Sequence, residues 1–294
     1  MKINNNTRFL IVGLGLLGGS YAKALKKQGF RVEAVTRSQS SIDYALEQGI
    51  IDRGAAFADP EIIGGADFVV LAMYPATLME WVEQNQRFFK PGALITDVTG
   101  VKTCVVEPVQ AMLRPDVEFI AAHPMAGRET LGVQNADDGI FRGANYIVTP
   151  TARNTEAAIA ACEELGRVLG FARISRLSPE KHDEMIGFVS QLTHAIAVAL
   201  MTCNDVEGLE NYTGDSFRDL TRIAKINDEM WSELFLANRD ALLAQMDAFS
   251  AQFDRIRDQL ARGDREAMRD VMRRSTVRRK ALEKAPKPRS DAEQ

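Results

Sequence analysis

The sequence has little cysteine and little histidine for its 294 residues. Its three cysteines, Cys104, Cys162 and Cys203, are far apart and form no CxxC pair, which argues against a disulfide framework or a zinc site. Reduced thiols are therefore expected. The net charge is -4 and the pI is about 5.6. This acidic overall charge gives no indication of nucleic-acid binding.

The sequence predicts neither a targeting segment nor a membrane segment. The opening residues, MKINNNTRFLIVGLG, carry neither the apolar core nor the cleavage site of a signal peptide. No apolar run approaches the roughly 20 residues that a helix needs to span a bilayer. We therefore expect a cytoplasmic protein that contacts no membrane. The composition, 46% hydrophobic and 26% charged over 294 residues, is sufficient for two globular domains.

Short apolar strands alternate with helical segments through residues 1–175. RFLIVGLG and RVEAVTRS predict strands, and a helix follows each, which is typical of a mostly parallel sheet with helices on both faces. Between residues 176 and 285 apolar residues recur at helical spacing, as in DEMIGFVSQLTHAIAVALM, so an all-helical domain is predicted there. Residues 286–294 are polar, and we expect them to form a disordered tail.

Three glycines form a G-x-G-x-x-G pattern between an apolar strand and a helix. Gly13 allows a tight turn, Gly15 lets the backbone approach a pyrophosphate, and Gly18 lets the helix pack closely on the strand. Together with Leu16 and Leu17 they predict the cofactor-binding loop of an α/β dinucleotide-binding (Rossmann) domain. A plain structural turn is the alternative explanation of the same pattern.

The end of the second strand bears on the choice of cofactor. An NAD enzyme usually has an acidic residue here, whereas this chain has Thr36, Arg37 and Ser38. Nothing at this place repels a ribose 2′-phosphate and Arg37 can bind one, so NADP is favoured over NAD, with NAD or dual use still open. Tyr74 and Pro75 close another strand, and they either wall the cofactor or pack as an ordinary loop.

All three histidines, His123, His182 and His194, lie in dense motifs. The segments VGLGLLGGS, DVTGVK, HPMAGRE, HDxxxGxxSQLTH and FRDLTRIA together resemble the prephenate/arogenate dehydrogenase family of tyrosine biosynthesis, from about Arg8 to the helices after Trp231. The resemblance implies a dinucleotide-binding domain followed by an all-α dimerisation domain, and hence a homodimer. It also implies an oxidative decarboxylation that needs no metal, in which a hydride passes from C4 of a cyclohexadienol ring to the nicotinamide.

The resemblance also assigns roles to individual residues. His123 matches the histidine that hydrogen-bonds the C4 hydroxyl and polarises it, a task that suits a neutral imidazole. His194 matches a substrate-binding histidine, and Arg222 matches the arginine that grips a substrate carboxylate by bidentate pairing. Asp183 and Glu129 match acidic residues that pair with or gate this arginine; for these two, a structural ion pair or a solvated carboxylate is the alternative.

The chain departs from the family pattern at two places. Many relatives have a serine at the position of Gly100, where it helps the catalytic histidine to hold the hydroxyl, and Thr99 is a candidate to replace it. Many relatives also have a histidine where this chain has Gln191, so no role carries over to that residue. His182 fits the family motif, and we expect its role to be structural.

Prephenate is favoured over L-arogenate as the substrate. Arg128 adds a cation beside His123 where relatives often have a small residue, and a cation near the side chain of the substrate favours a keto acid over an amino acid. Two rival hypotheses are a different hydroxyacid or pyrroline-carboxylate dehydrogenase on the same two-domain plan, and a non-catalytic cofactor-sensing scaffold. Both rivals predict no turnover of a cyclohexadienol. Inhibition by tyrosine stays open.

Overall fold

The computed structural model describes residues 2–128 and 130–283, so Glu129 and the tail predicted at 286–294 lie outside the described residues. The strands in the described part of the chain are β1 (Arg8–Val12), β2 (Arg31–Val35), β3 (Arg53–Ala55), β4 (Phe68–Leu71), β5 (Leu94–Asp97), β6 (Glu118–Phe119), β7 (Ala121–Pro124), β8 (Asn145–Thr149) and β9 (Arg173–Arg176).

The helices fall into two groups along the chain. Those between the strands are α1 (Leu16–Lys27), α2 (Gln39–Glu47), α3 (Pro60–Gly65), α4 (Pro75–Asn85), α5 (Thr103–Met112) and α6 (Glu156–Val168). Those after the last strand are α7 (Pro179–Ile186), α8 (Leu192–Thr202), α9 (Asp215–Thr221), α10 (Asp228–Ala237), α11 (Arg239–Ala261) and α12 (Arg265–Glu283).

Six strands form one parallel sheet in the order β3-β2-β1-β4-β5-β6. This order reverses between β1 and β4, and the crevice beyond the carboxyl ends of these two strands is where dinucleotides bind in folds of this kind. The predicted α/β dinucleotide-binding architecture is therefore confirmed. The sheet places the glycine loop after β1 and the loop after β4 side by side.

The strands of this sheet are buried on both faces, as parallel strands require. Successive side chains alternate between two apolar clusters: Phe9 and Ile11 belong to one cluster, and Leu10 and Val12 belong to the other. The near-continuous apolar run that begins at Phe9 is explained by this arrangement, since a half-exposed strand would instead alternate with polar residues.

The segment EFIAAHPM, predicted as one strand, is divided at Ile120 between two sheets. β6 pairs with β5 in the parallel sheet, whereas β7 pairs antiparallel with β8, which in turn pairs parallel with β9. At Ala122 the backbone hydrogen-bonds to two buried side chains and no longer to strand β5. The N–H of Ala122 donates to Asp97 (3.1 Å), and its carbonyl accepts from Nζ of Lys102 (2.6 Å).

A helical half follows β9, as predicted. α7, a π-helical segment (Gly187–Gln191) and α8 form one continuous helix from Pro179 to Thr202. By length and composition alone this helix could cross a membrane, contrary to the expectation that no apolar run is long enough. It begins with charged residues, and it packs against α11 and the turn after α9. Within the described chain, apolar side chains remain exposed on it and on α11, among them Phe188, Val189, Leu243, Phe253 and Leu260.

Candidate active site

The glycine loop has the shape that a pyrophosphate cradle requires. Gly13 has φ of +96°, and a Cβ there would clash with the carbonyl oxygen of Ala72. A Cβ at Gly18 would clash with the carbonyl oxygen of Gly13, so helix α1 packs directly on the turn. A Cβ at Gly15, by contrast, would meet no atom within 4 Å, and no side chain caps the first turn of α1. An anion can therefore reach the backbone N–H groups here.

Leu16 and Leu17 begin α1 and are half-buried beneath this opening. At the end of β2, Thr36 is half-buried and its N–H donates to Ala55, while Arg37 is exposed. The hydroxyl of Ser38 accepts from the N–H of Ser41 (3.2 Å) and so caps α2. No carboxylate stands at the end of β2, so a ribose phosphate would meet the Arg37 cation and the start of α2.

The loop after β4 reaches the helical half of the chain. Tyr74 is the N-cap of α4 and is 37% exposed, whereas Pro75 is buried as its first residue. The N–H of Ala76 donates to Oε1 of Glu233 (2.9 Å), a residue of α10. This bond ties α10 to the first turn of α4, directly after the loop that packs against Gly13. Sequence reasoning did not find Glu233.

His123 lies on β7 and belongs to a row of three hydrogen-bonded side chains. Its Nδ1 is 2.9 Å from Nε2 of His182, and Nδ1 of His182 is 2.8 Å from Oδ1 of Asp183. Both partners come from α7, at whose start Ser178 accepts from the N–H of Lys181. His182 is fully buried and Asp183 is 3% exposed, whereas His123 is half-buried.

The surroundings keep both imidazoles neutral. Burial lowers the pKa of His123 well below its usual value, and the neighbouring His182 and Lys102 lower it further. Burial also lowers the pKa of His182, against the opposing effect of the hydrogen bond to Asp183. A neutral imidazole at position 123 is the form that can accept a proton.

Thr99 does not contact His123, contrary to its predicted role as the catalytic partner. Its hydroxyl is bound to the carboxylate of Asp97 and lies 2.8 Å from the carbonyl oxygen of Val101. Nζ of Lys102 also donates to it (3.1 Å). The buried Asp97–Lys102 ion pair, 2.6 Å apart with both side chains 0% exposed, takes up this hydroxyl because a buried pair needs further hydrogen bonds.

Gly100 is the residue of this segment that lies beside His123. A Cβ at Gly100 would lie 3.9 Å from Nε2 of His123 and 3.7 Å from the methyl groups of Leu234. The free face of the imidazole is therefore bordered by a glycine from the loop after β5 and by a leucine from α10. A side chain larger than glycine has room at this position.

The helical half contributes an aromatic wall. The ring of His194 stacks on Trp231, with centroids 3.7 Å apart at 28° between planes, and its Nδ1 donates to the carbonyl oxygen of Ser190 (2.8 Å). Arg222 is exposed in a turn directly after α9, and this turn packs against α8, which carries His194. The structure thus brings Arg222 and His194 to neighbouring elements of one layer. No signal in the sequence identified Trp231.

Two charged candidates, Asp183 and Arg128, have hydrogen-bond or ion-pair partners within the chain. The oxygens of Asp183 accept hydrogen bonds from His182 and from the backbone of Lys102 and Thr103, so this carboxylate is bonded to the ring nitrogen of His182 that does not contact His123. Arg128 is 51% exposed at its side chain and forms a 2.7 Å ion pair with Asp137. Glu129 lies outside the described residues.

His182 and Gln191 make contacts near His123 that the sequence did not predict. His182 was expected to be structural, yet it bonds directly to His123. Gln191 donates to the carbonyl oxygen of Leu234 (3.0 Å) and accepts from Asn238 (2.7 Å), which also donates to the backbone carbonyl of Asp183 (2.9 Å). The amide at position 191 thus fastens α10 over the histidines. The motif HDxxxGxxSQ contains both residues, but only the fold shows which groups they contact.

Comparison with known proteins finds matches to both halves of the chain. The chain matches the family model for the prephenate dehydrogenase nucleotide-binding domain over residues 21–172 and that for the prephenate dehydrogenase dimerization domain over residues 178–274. It is 31% identical over 264 residues to prephenate dehydrogenase of Bacillus subtilis (strain 168), covering 87% of this chain and 71% of the relative.

Two solved structures are similar over nearly the whole chain. The structure of A. aeolicus prephenate dehydrogenase in complex with hydroxyphenyl propionate and NAD+ has a TM-score of 0.88 at 28% identity, covering 96% of this chain and all of that chain. The structure of Synechocystis arogenate dehydrogenase has a TM-score of 0.82 at 25% identity, covering 94% of this chain and all of that chain.

Proposed function

Because this chain belongs to the prephenate dehydrogenase family, we propose that it converts prephenate to 4-hydroxyphenylpyruvate and CO2 in tyrosine biosynthesis. When bound, the nicotinamide cofactor accepts the hydride that leaves C4 of the ring. One observation carries the proposal: the neutral imidazole of His123 is held by a part-buried hydrogen bond at Nδ1, and its Nε2 lies beside Gly100, near Leu234. A base is thus placed where the two halves of the chain meet.

The chemistry asked of His123 is the movement of one proton. Nε2 accepts the proton of the C4 hydroxyl as the hydride leaves, so the electron pair of the O–H bond forms the carbonyl. Loss of the ring carboxylate as CO2 then returns an electron pair to this oxygen, and the oxygen recovers its proton from Nε2. The base ends the cycle neutral, and general acid–base catalysis of this kind contributes about 10²–10⁴-fold.

The negative charges of the substrate need cations at the other end of the pocket. We assign a carboxylate to Arg222, because a guanidinium can bind it in bidentate fashion, and we place His194 beside it as a further hydrogen-bonding group. The stacking of His194 on Trp231 holds the imidazole in one orientation. Arg128 supports prephenate over L-arogenate, since a keto acid carries no ammonium group for a cation to repel.

The cofactor would be held by the loop of Gly13, Gly15 and Gly18. The open backbone at Gly15 fits a pyrophosphate. Any larger residue at Gly13 or Gly18 would clash with the neighbouring backbone and change the shape of the loop. Thr36 and the exposed Arg37 support NADP over NAD, because a 2′-phosphate would find a cation there and no carboxylate. Tyr74 and Pro75 would border the nicotinamide side of the crevice.

A homodimer would cover the exposed apolar side chains of the helical half. The match to a dimerization domain over residues 178–274 includes the apolar helix from Pro179 to Thr202 and α11. Exposed apolar patches of this kind mark interfaces in soluble proteins. Light scattering should therefore give twice the chain mass of 32.5 kDa, and a monomer at working concentration would contradict the dimer. A cytoplasmic location is proposed with it.

An L-arogenate dehydrogenase is the second candidate, supported by the similarity to the Synechocystis arogenate dehydrogenase. Purified protein is mixed with prephenate or L-arogenate, and with NAD or NADP, and initial rates are read from nicotinamide absorbance. The proposal predicts the highest kcat/KM for prephenate with NADP. A higher value with L-arogenate overturns the substrate, and a higher value with NAD overturns the cofactor. Silence in all four mixtures would overturn the activity and favour a sensing scaffold or another dehydrogenase.

A further inference from the structure

The buried row Asp183–His182–His123 has a direction that the structure determines. Two imidazoles in series follow one carboxylate, over contacts of 2.8 Å and 2.9 Å. Which nitrogen of a histidine carries its proton is set by the partner of the other nitrogen. The direction of donation can therefore be worked out from the carboxylate outward.

Asp183 can only accept hydrogen bonds. Its Oδ1 accepts from the N–H of Lys102 (2.8 Å), and its Oδ2 accepts from the N–H of Thr103 (2.8 Å), at the start of helix α5. A helix N-terminus favours a negative charge. Burial raises the pKa of Asp183, but the hydrogen bonds from His182 and Thr103 outweigh this and leave the pKa below its usual value. The carboxylate is therefore ionised and has no proton to donate.

The proton positions on the histidines follow in turn. Because Asp183 is an acceptor, Nδ1 of His182 must carry the proton, and the neutral ring then has a lone pair at Nε2. That lone pair accepts from Nδ1 of His123, so Nδ1 of His123 carries its only proton. Nε2 of His123 is left as the lone pair, and it faces Gly100. The base is thus presented on the open side.

We infer that His182 and Asp183 are positioning residues that fix the Nδ1–H tautomer of His123 and so create the base at Nε2. The inference rests on the proposed function for its chemical meaning. When Nε2 takes the hydroxyl proton, the new imidazolium keeps its Nδ1–H bond to His182, and the carboxylate of Asp183 lies at the far end of the same row. The positive charge is then balanced without movement of any side chain.

Other charged groups near the row do not reverse this direction. Nζ of Lys102 is engaged by Asp97 and by the carbonyl oxygen of Ala122, and it lowers the pKa of both histidines. The thiol of Cys104 stays neutral, because burial and the charge of Asp183 raise its pKa to about 11. Asp183 is accordingly the only charged group that hydrogen-bonds the histidine row in the part of the chain that the structure describes.

The direct test is the tautomer itself. The full chain is labelled with ¹⁵N-histidine, and long-range ¹H–¹⁵N spectra are recorded near pH 8; the sequence has three histidines, assigned by single substitutions. The inference predicts Nδ1–H for both His123 and His182, whereas a free side chain favours Nε2–H. Finding Nε2–H at His123 would overturn it. This readout needs no substrate, so it stands or falls separately from the proposed activity.

A kinetic test separates positioning from mere packing. His182→Gln can still place an amide oxygen where Nε2 stood, whereas His182→Leu cannot. We expect kcat with prephenate to fall about 10²–10⁴-fold in His182→Leu and less in His182→Gln, with KM nearly unchanged. In a His123→Asn background the His182 substitutions should lower kcat no further, because residues that act as a unit are not additive.

Two kinetic results would overturn the inference. The first is an unchanged kcat in His182→Leu. The second is that His182→Leu lowers kcat by the same factor in the His123→Asn background as in the wild type, which would mean that His182 has only a structural role. If His182→Leu does not fold, the spectrum of the wild-type protein and the His182→Gln variant still decide the question.

Discussion

A Cβ atom at Gly100 would lie 3.9 Å from Nε2 of His123. The position at which many relatives carry a serine is therefore next to the base in space, and here it is empty of any side chain. Thr99 cannot supply the missing hydroxyl, since its own is bound to Asp97. The proposed base, His123, would therefore work with the row of His182 and Asp183 behind it and without a side-chain hydroxyl from Thr99 or Gly100.

Restoring the serine should assist the reaction. Gly100→Ser is predicted to raise kcat with prephenate by up to about tenfold, the equivalent of one hydrogen bond to the C4 oxygen. The Cβ contacts of 3.7–3.9 Å are ordinary ones, so folding should be unaffected. Gly100→Ala is the matched control, because it adds the same Cβ without the hydroxyl. Equal rates in both variants would contradict this role.

Cofactor preference should respond to charge at the end of β2. Thr36→Asp is predicted to lower kcat/KM for NADP by more than about tenfold, because a carboxylate there repels the 2′-phosphate, while kcat/KM for NAD holds or rises. Thr36→Asn serves as the control, because asparagine has nearly the same shape as aspartate but carries no charge. An NADP-to-NAD ratio that does not move in Thr36→Asp would show that this loop does not contact the ribose.

Arg128 and Asp137 should act on substrate binding in opposite directions. Their ion pair is 2.7 Å long, with side chains 51% and 41% exposed, so each partly neutralises the other. Arg128→Ala is predicted to raise KM for prephenate severalfold with little change in kcat, and Asp137→Asn should lower KM or leave it unchanged by releasing the cation. Unchanged KM in Arg128→Ala would remove the argument for a keto acid from this residue.

The pH dependence follows from the lowered pKa of His123. Protonation of Nε2 removes the base, and a folded-state pKa well below about 6.5 moves that loss to lower pH. The acid limb of kcat/KM is therefore predicted below pH 6.5. The unfolded chain protonates His123 and His182 near pH 6.5, whereas the folded chain protonates them only at lower pH, so the free energy of unfolding should decrease as the pH drops below 6.5. An acid limb at or above 6.5 would be inconsistent with a buried neutral base.

The buried Asp97–Lys102 pair is predicted to matter for stability. Lys102→Met leaves the carboxylate buried and without its cation, which typically costs about 3–5 kcal/mol in the free energy of unfolding. Lys181→Met is the comparison, because Lys181 pairs with Glu184 at the surface and such pairs contribute about 0–1 kcal/mol. Urea unfolding measures both. Similar losses of unfolding free energy in the two variants would mean that the buried pair contributes no more to stability than a surface pair.

The sequence was sufficient for the architecture, and it also singled out His123, whose role as the base stays a prediction. Alternating apolar strands and helices, with the glycines at 13, 15 and 18, predict the parallel sheet and its loop because these patterns are local. The HPMAGRE motif identified His123 by resemblance. These features depend on spacing within one short segment, which a sequence displays directly.

The contacts between distant segments could not be predicted in the same way. The division of EFIAAHPM at Ile120 depends on Asp97 and Lys102 reaching Ala122 across the sheet. The bond from His182 to His123 joins residues 59 positions apart, so the pair looked like two independent histidines. Trp231 carries no motif at all, and only the packing of α10 on α8 brings it to His194. Tertiary packing decides such contacts, and one sequence does not encode them as a local pattern.

The most direct test of the account compares the wild-type protein with His123→Asn on prephenate and NADP, measuring reduced cofactor and released CO2 in the same reaction. The account predicts equal amounts of both products from the wild type, and a rate at least about 10²-fold lower from the variant, with unchanged cofactor binding. Reduction without CO2, no turnover by the wild type, or a variant as fast as the wild type would each contradict it.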